Sequence, residues 1–274
     1  RDVERSRGLG DVYKRQMKKL SVCLLTAVLS CWCATAFGWG KIGHDAIAYI
    51  AECNLTPKAK KNIEKYLGGR SIVYYASWMD LYRHTPAYKV TSGWHGDTVD
   101  ADGKYVPNAK GDAVQCIEEA IARLKDYRSP DDSTVLVSIK YLVHLVGDMH
   151  CPVHVKYPWY KNFKFDLNGR PCEFHSFWDS GVLDLNHRWG YVEYRHQLDR
   201  LTKKQIRAVV AGTPRDWLEE SARDCRVIYE WTKPGQKFTK NEARDLLNTV
   251  HLFAEEQILK AGYRLAAVLN QLFG

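Results

Sequence analysis

Apolar side chains recur at helical spacing along most of the chain beyond residue 55. One stripe of segment 112–127 carries Val114, Ile117, Ala120, Ile121 and Leu124. The same spacing predicts helices over 57–67, 71–84, 112–127, 214–231 and 240–272. A strongly apolar central helix begins near Asp132 and ends before Pro152, since proline cannot continue a helix.

Helix-start signals support this pattern. Thr56-Pro57 has the form of an N-cap followed by proline at the first helical position. Thr202 with Gln205, and Thr239 with Glu242, have the spacing of capping boxes. Strand signals are few, and short strands are expected only within 85–110 or 156–172. The fold class predicted is all-α, with a single compact multi-helix domain.

The first 38 residues are not expected to belong to the folded domain. Residues 1–16 are charged and aperiodic, and we interpret them as non-native or upstream-translated. Residues 17–38 resemble a signal peptide, with Lys18 and Lys19, an apolar stretch and cleavage after Gly38. The alternative is lipoprotein processing at Cys31. The expected mature domain is 39–274, secreted or periplasmic, without a stable membrane anchor.

Neither the net charge nor the cysteine content selects one class of function. The formal charge is +8, but the first 38 residues carry seven basic and three acidic groups, so the remainder keeps +4. That surplus permits polyanionic substrates without requiring them. The mature cysteines are Cys53, Cys116, Cys151, Cys172 and Cys225. Cys151 and Cys172 could form a disulfide or be ordinary buried thiols.

The densest chemistry lies on the central helix. His144 and Asp148 are four residues apart, so they share one face of a helix whose other residues are mostly apolar. Burying an imidazole and a carboxylate is costly unless they are compensated, either by mutual hydrogen bonding or by a metal cation. His175 and Asp179 repeat the spacing.

Further residues of the kind that bind metals favour a metal cation over mutual hydrogen bonding. These are His44, Asp80, His95 and His154. Zinc accepts nitrogen and oxygen donors of this kind, and catalytic sites keep a position open for water. No phosphate-binding glycine loop or serine nucleophile elbow competes with this interpretation. The residues therefore predict a multinuclear zinc site.

The order of these motifs resembles a known enzyme family. The matching elements are Trp39-Gly-Lys-Ile-Gly-His44, Ser77-Trp-Met-Asp80, Trp94-His95, His144-x3-Asp148-x5-His154 and His175-x3-Asp179. They are similar to the secreted zinc-dependent single-strand nucleases of the S-one/P-one type. Those enzymes share their fold and zinc cluster with bacterial zinc-dependent phospholipase C.

The resemblance implies three zinc ions and nine ligand residues. The first zinc would be held by Asp80, His95, His144 and Asp148. The second would be held by His154, His175 and Asp179. The third would be held by the α-amino and carbonyl groups of Trp39, by His44 and by a bridging Asp148. A free α-amino group titrates near 8, so a metal can displace its proton.

The resemblance also suggests residues that act on substrate. Arg83 matches the position that contacts the scissile phosphate, and its alternative is a surface helix residue. Gly96 stands where these nucleases have a base-stacking aromatic. Asp97 is the candidate for a water-orienting carboxylate, although Thr98 occupies the expected position.

Base stacking could instead come from the loop that carries Trp159, Tyr160 and Phe163, although these aromatics could equally cover the core. Glu173-Phe174 replaces the Asn-Leu pair that commonly precedes the histidine in these nucleases. Since that asparagine helps bind the base or phosphate region, the base preference is left open. Five histidines have no motif partner and are interpreted as surface or hydrogen-bonded core residues: His84, His150, His187, His196 and His251.

The function implied is a zinc-dependent phosphodiesterase that hydrolyses single-stranded DNA and RNA, with 3′-nucleotidase activity and a monomeric state. Metal-activated hydroxide would attack phosphorus, with Arg83 and zinc stabilising the charge. One alternative is a zinc-dependent phospholipase C, which would need an apolar lip. Another is a zinc-binding protein without catalysis, which a complete ligand set beside Arg83 argues against.

Overall fold

The computed structural model describes residues 39–187 and 189–274, so the predictions for residues 1–38 lie outside the described residues. The helices are α1 (Lys41–Cys53), α2 (Pro57–Tyr66), α3 (Trp78–Tyr82), α4 (Ala113–Leu124), α5 (Asp132–Asp148), α6 (Phe174–Ser176), α7 (Val182–Asn186), α8 (Tyr191–Leu198), α9 (Lys203–Val209), α10 (Pro214–Cys225), α11 (Ile228–Trp231) and α12 (Lys240–Phe273). Three 3₁₀ turns lie at Ile72–Tyr75, Lys89–Gly93 and Pro152–His154, and a π-helical turn spans Phe177–Gly181.

These helices surround one continuous hydrophobic core, which confirms the all-α prediction. The 34-residue helix α12 packs against α1, α2, α5 and α7, while α5 also packs against α4. Val135, Ile139, Leu142 and Val143 of α5 are almost fully buried. Asp132 and Ser133 at the start of α5 are exposed, whereas Ser138, His144 and Asp148 are buried within the protein.

Of the short strands in the described chain, five lie within or beside segments 85–110 and 156–172, as predicted, and one lies outside both. They are β1 (Asp97–Val99), β2 (Tyr105–Val106), β3 (Val155–Lys156), β4 (Lys164–Leu167), β5 (Arg170–Glu173) and β6 (Lys237–Phe238). The first sheet has the order β2-β1-β3, with β1 antiparallel to β2 and parallel to β3. The second has the order β5-β4-β6, with β4 antiparallel to β5 and parallel to β6.

The predicted caps are present. Thr56, Thr202 and Thr239 accept hydrogen bonds from the first turns of α2, α9 and α12, and the last two are complete capping boxes. A side-chain cap satisfies a backbone N–H that the helix itself leaves without a partner. The starts of these three helices therefore follow from local sequence chemistry.

Two predicted helices are interrupted. Segment 71–84 divides into the 3₁₀ turn Ile72–Tyr75 and α3, with a break beside Ala76, whose carbonyl accepts a hydrogen bond from His144 Nδ1 at 2.7 Å. Segment 214–231 divides into α10 and α11. At that break the Tyr157 hydroxyl donates to the carbonyl of Ala222, which would otherwise accept from residue 226 in a continuous helix. Tertiary hydrogen bonds interrupt both helices.

The Cys151–Cys172 disulfide, one of the two possibilities that the sequence allowed, is wrong. All five cysteines of the described ranges are free, with Cys151 buried and Cys172 half-buried on β5. Within these same ranges, no helix combines the length and apolar character needed to cross a membrane.

Candidate metal centre

The C-terminal half of α5 carries the middle of the site. His144 Nε2 lies 3.1 Å from Asp148 Oδ2, as the spacing of four residues predicts. His144 Nδ1 donates to the carbonyl of Ala76, so Nε2 is left to face the cluster. Both side chains are fully buried. The hydrogen bond to Ala76, which lies outside α5, therefore fixes the orientation of the His144 ring.

Asp148 is the point at which the predicted ligands converge. Its Oδ1 lies 3.3 Å from His44 Nε2 and 3.5 Å from His154 Nδ1. Its Oδ2 lies 2.9 Å from His95 Nδ1. One carboxylate thus faces histidines from α1, α5, the loop before β1 and the turn after α5. This is the arrangement expected of a bridging ligand.

Asp80 joins this group from α3. Its Oδ1 lies 3.7 Å from His95 Nδ1 and 3.8 Å from His144 Nε2. The carboxylate is buried, and Arg83 Nη1 lies 3.6 Å from it. Asp80 and Asp148 therefore face the same pair of imidazoles from two sides.

The second predicted pair lies beside the first. His175 Nε2 is 3.3 Å from Asp179 Oδ2, and His154 Nε2 is 3.6 Å from Asp179 Oδ1. His154 therefore connects the two groups, because its other nitrogen faces Asp148. The structure adds Cys151, whose Sγ lies 3.6 Å from Asp179 Oδ1. From the sequence, Cys151 was a disulfide partner or an ordinary buried thiol, and its closeness to His154 was the available sign that it lies near the ligands.

Trp39 lies at the start of the described chain and is fully buried. The next residue anchors it to the site, because the Gly40 N–H donates to the carbonyl of Asp179 at 2.5 Å. The backbone of this segment therefore runs beside a predicted zinc ligand. That the amine and carbonyl of Trp39 bind a metal stays a prediction.

A glycine makes room for His44. A Cβ added at Gly147 of α5 would lie 3.0 Å from His44 Nδ1 and 3.3 Å from its Cε1. The His44 ring also stacks on that of His144, with centroids 4.1 Å apart. The absence of a side chain at position 147 lets α1 approach the face of α5 that carries the ligands.

The electrostatics of the cluster favour a cation. Burial acts to raise the pKa of Asp148, but His144 and His154 outweigh it and hold the pKa well below its ordinary value. Burial acts to lower the pKa of His144, yet Asp148 and Asp80 raise it to about 9. Burial lowers the pKa of His44 and of His95. A metal that binds here would displace a proton from His144, so its affinity should rise with pH.

The buried donor atoms fit zinc. Several lack a hydrogen-bond partner: His44 Nδ1 and Nε2, Asp80 Oδ1, His95 Nε2, Asp148 Oδ1, His154 Nδ1 and Asp179 Oδ2. Ligand atoms around a tetrahedral zinc lie about 3.3 Å apart, given bonds of about 2.0 Å. The histidine–carboxylate separations of 2.9 to 3.8 Å bracket this value. Buried polar atoms without partners are costly, and bound cations would compensate them.

Asp97 is not brought among these ligands. Its carboxylate accepts a hydrogen bond from the Val114 N–H at the start of α4, at 2.9 Å. Within the described chain it forms no ion pair, and burial raises its pKa to about 7. Gly96 beside it allows β1 to approach β3 closely, since an added Cβ would lie 2.8 Å from the His154 carbonyl oxygen. An aromatic residue could not replace Gly96 without a backbone shift.

The predicted aromatic loop lies next to the second pair. Trp159, Tyr160, Lys161 and Phe163 line a cleft of about 330 Å³ together with Tyr229 and Lys233. The hydroxyl of Tyr160 lies 3.4 Å from His175 Nδ1, and Trp159 is 44% exposed. Phe163 instead stacks on buried Phe174, with centroids 4.3 Å apart. Phe163 therefore covers the core, while base stacking by Trp159 and Tyr160 stays a prediction.

An all-α scaffold that gathers histidines and carboxylates around one buried aspartate provides the donor set that metal-dependent hydrolases use to bind zinc. The model of the family described as S1/P1 Nuclease matches residues 39–274, so the chain belongs to the S1/P1 nuclease family. It is therefore a hydrolase that acts on phosphodiester bonds. Zinc dependence, the expectation drawn from the resemblance, agrees with both the family and the donor set.

Individual relatives agree with this assignment. The chain is 24% identical to Nuclease S1 of Aspergillus oryzae over 265 residues, which cover 85% of this chain and 91% of that protein. It is 29% identical to Nuclease P1 of Penicillium citrinum over 157 residues, covering 52% and 57%. It is 25% identical to Endonuclease 2 of Arabidopsis thaliana over 271 residues, covering 86% and 91%. Because the matching family and these relatives are nucleases, phospholipase C activity is the less favoured alternative for this chain.

Proposed function

We propose that this protein is an exported, monomeric endonuclease that uses three zinc ions to hydrolyse single-stranded DNA and RNA, and that also removes 3′-phosphates from nucleotides. The observation that carries the proposal is the convergence of His44, His95, His144 and His154 on the oxygens of Asp148. Its membership of a nuclease family supports the substrate class. The signal-like segment 17–38 supports export.

The protein's own side chains would hold and orient the reacting groups. Asp80, His95, His144 and Asp148 would hold one zinc, and His154, His175 and Asp179 a second. Trp39, His44 and Asp148 would hold the third. Bound zinc supplies activation of water and polarisation of phosphoryl oxygens.

Arg83 lies 3.6 Å from Asp80 and is mostly buried, with a side chain that is 11% exposed. A guanidinium keeps its charge throughout a reaction and matches the geometry of a phosphate. We infer that Arg83 contacts the scissile phosphate and stabilises the charge that develops there.

The proposal is tested by comparing the hydrolysis of different substrates with and without a chelator. The purified mature chain would be incubated with single-stranded DNA, duplex DNA or phosphatidylcholine vesicles, each with and without a chelator. We expect rapid cleavage of the single strand only, lost with the chelator and restored by zinc. Cleavage of phosphatidylcholine instead would establish the phospholipase alternative, and zinc binding without any turnover would establish the non-catalytic one.

Trp159 gives a prediction about substrate binding. Trp159 lies partly exposed at the edge of the cleft and stacks on the Tyr157 ring with centroids 4.8 Å apart, so a substrate base could extend this stack. Base–aromatic stacking contributes about 1–3 kcal/mol, so Trp159→Ala should raise KM for single-stranded DNA by about 5- to 150-fold with little change in kcat. Trp159→Phe keeps a stacking face and serves as the matched control. An unchanged KM in the alanine variant would remove Trp159 from the binding surface.

Asp97→Asn tests whether the Asp97 carboxylate accepts a structural hydrogen bond only or also acts as a water-orienting base. Asparagine keeps an acceptor for the Val114 N–H and loses the charge. Since the carboxylate of Asp97, a β1 residue, accepts a hydrogen bond from the first turn of α4, we expect kcat to stay within about tenfold of the wild type. A positioned general base typically contributes about 10²–10⁴ in rate. A loss of that size, with zinc content unchanged, would support Asp97 as the water-orienting base that the sequence suggested.

A further inference from the structure

A second group of metal-ligand side chains lies on α12 and the segment after α7. It consists of His187, His251 and Glu255, none of which belongs to the Asp148 cluster. Each offers a donor atom within 4.8 Å of the other two. His251 and Glu255 are one helical turn apart, with His251 Nε2 at 2.9 Å from Glu255 Oε1. The His187 ring meets that of His251 edge to face, with centroids 4.3 Å apart.

The surroundings leave polar atoms of this group uncompensated. His251 is 2% exposed, and its Nδ1 has no hydrogen-bond partner. The hydroxyl of Tyr194 is also buried without a partner. Burial, together with the nearby Glu255 carboxylate, raises the pKa of this phenol. By contrast, His150 is an ordinary core histidine, because both of its nitrogens have partners, the carbonyl of Val146 and Arg264.

The same features mark the Asp148 cluster. There, too, a histidine lies 2.9 Å from a carboxylate oxygen while buried nitrogens lack partners. Two histidines and one glutamate are a donor set that zinc accepts, with water in the remaining position. His187 and Glu255 are partly exposed, so an ion could reach the group from solvent. Trp189 stacks on the His187 ring with centroids 3.8 Å apart and restricts its orientation.

We propose that His187, His251 and Glu255 form an additional zinc site, separate from the Asp148 cluster, that fastens the segment after α7 to the middle of α12. We assign no step of the reaction to this site, because none of the residues proposed to act on the substrate takes part in it. It would stabilise the folded chain in proportion to the free zinc concentration.

The test compares zinc content among matched variants of the mature chain. Wild type, His187→Gln and His196→Gln would be dialysed against the same buffered zinc and their metal measured by mass spectrometry. His196 is exposed on α8 outside the group, so it controls for the loss of a histidine. We expect His187→Gln to hold one zinc fewer than the other two and to cleave single-stranded DNA at a rate within about twofold of the wild type.

Equal zinc content in all three proteins would overturn the proposal. Loss of zinc together with loss of cleavage would also overturn it, because the missing ion would then belong to the Asp148 cluster. Glu255→Gln provides a second variant should His187→Gln fold poorly, with the same expected loss of one ion.

Discussion

Replacing Asp148 with asparagine is expected to lower kcat by more than about a thousandfold, or about 4 kcal/mol in activation free energy. The change keeps the size of the side chain but removes its charge and one strong ligand oxygen. His44, His95, His144 and His154 all lie within 3.5 Å of this carboxylate, so two metal positions would weaken together. Turnover of single-stranded DNA and zinc content would both be measured.

Asp184→Asn is the matched control for this variant. Asp184 lies five residues beyond Asp179, on α7, and is exposed. Neutralising it removes an aspartate without touching the cluster, so activity should stay near that of the wild type. Near-normal turnover in Asp148→Asn would show that the bridging role is misassigned.

Extending the chain by a single alanine before Trp39 is expected to lower activity at least about a hundredfold. The free amine of Trp39 would become an amide, which is a far poorer metal donor at neutral pH. The Gly40 N–H donates to the Asp179 carbonyl, so this terminus is already held beside the site. The extension would therefore displace the third zinc while leaving the remaining ligands in place.

The comparison requires a chain that begins at Trp39 and one that begins one alanine earlier. Both would be assayed for zinc content and for cleavage of single-stranded DNA. Equal values in the two proteins would mean that the amine takes no part in metal binding. They would also remove the chemical reason for a mature chain that begins at residue 39.

Much of the fold follows from local sequence. The capping threonines, the amphipathic stripe of α4 and the apolar run of α5 act over a few residues, so their pattern predicts the elements directly. The pairs His144/Asp148 and His175/Asp179 were predictable for the same reason, since a spacing of four residues fixes their shared face.

Other features depend on contacts between distant segments. The break beside Ala76 arises because His144, 68 residues away, takes its carbonyl. The approach of Cys151 to Asp179, and the meeting of His187 with His251, are likewise set by packing. No periodicity along the chain encodes these contacts, so they appear only in the structure.

The most direct test of the three-zinc centre is anomalous diffraction at the zinc absorption edge from crystals of the chain that begins at Trp39. We expect three zinc peaks inside the cluster formed by Trp39, His44, Asp80, His95, His144, Asp148, His154, His175 and Asp179, with Asp148 between two of them. A fourth peak beside His251 would be separate from this result. A single zinc peak within the cluster, or none, would contradict the three-zinc assignment.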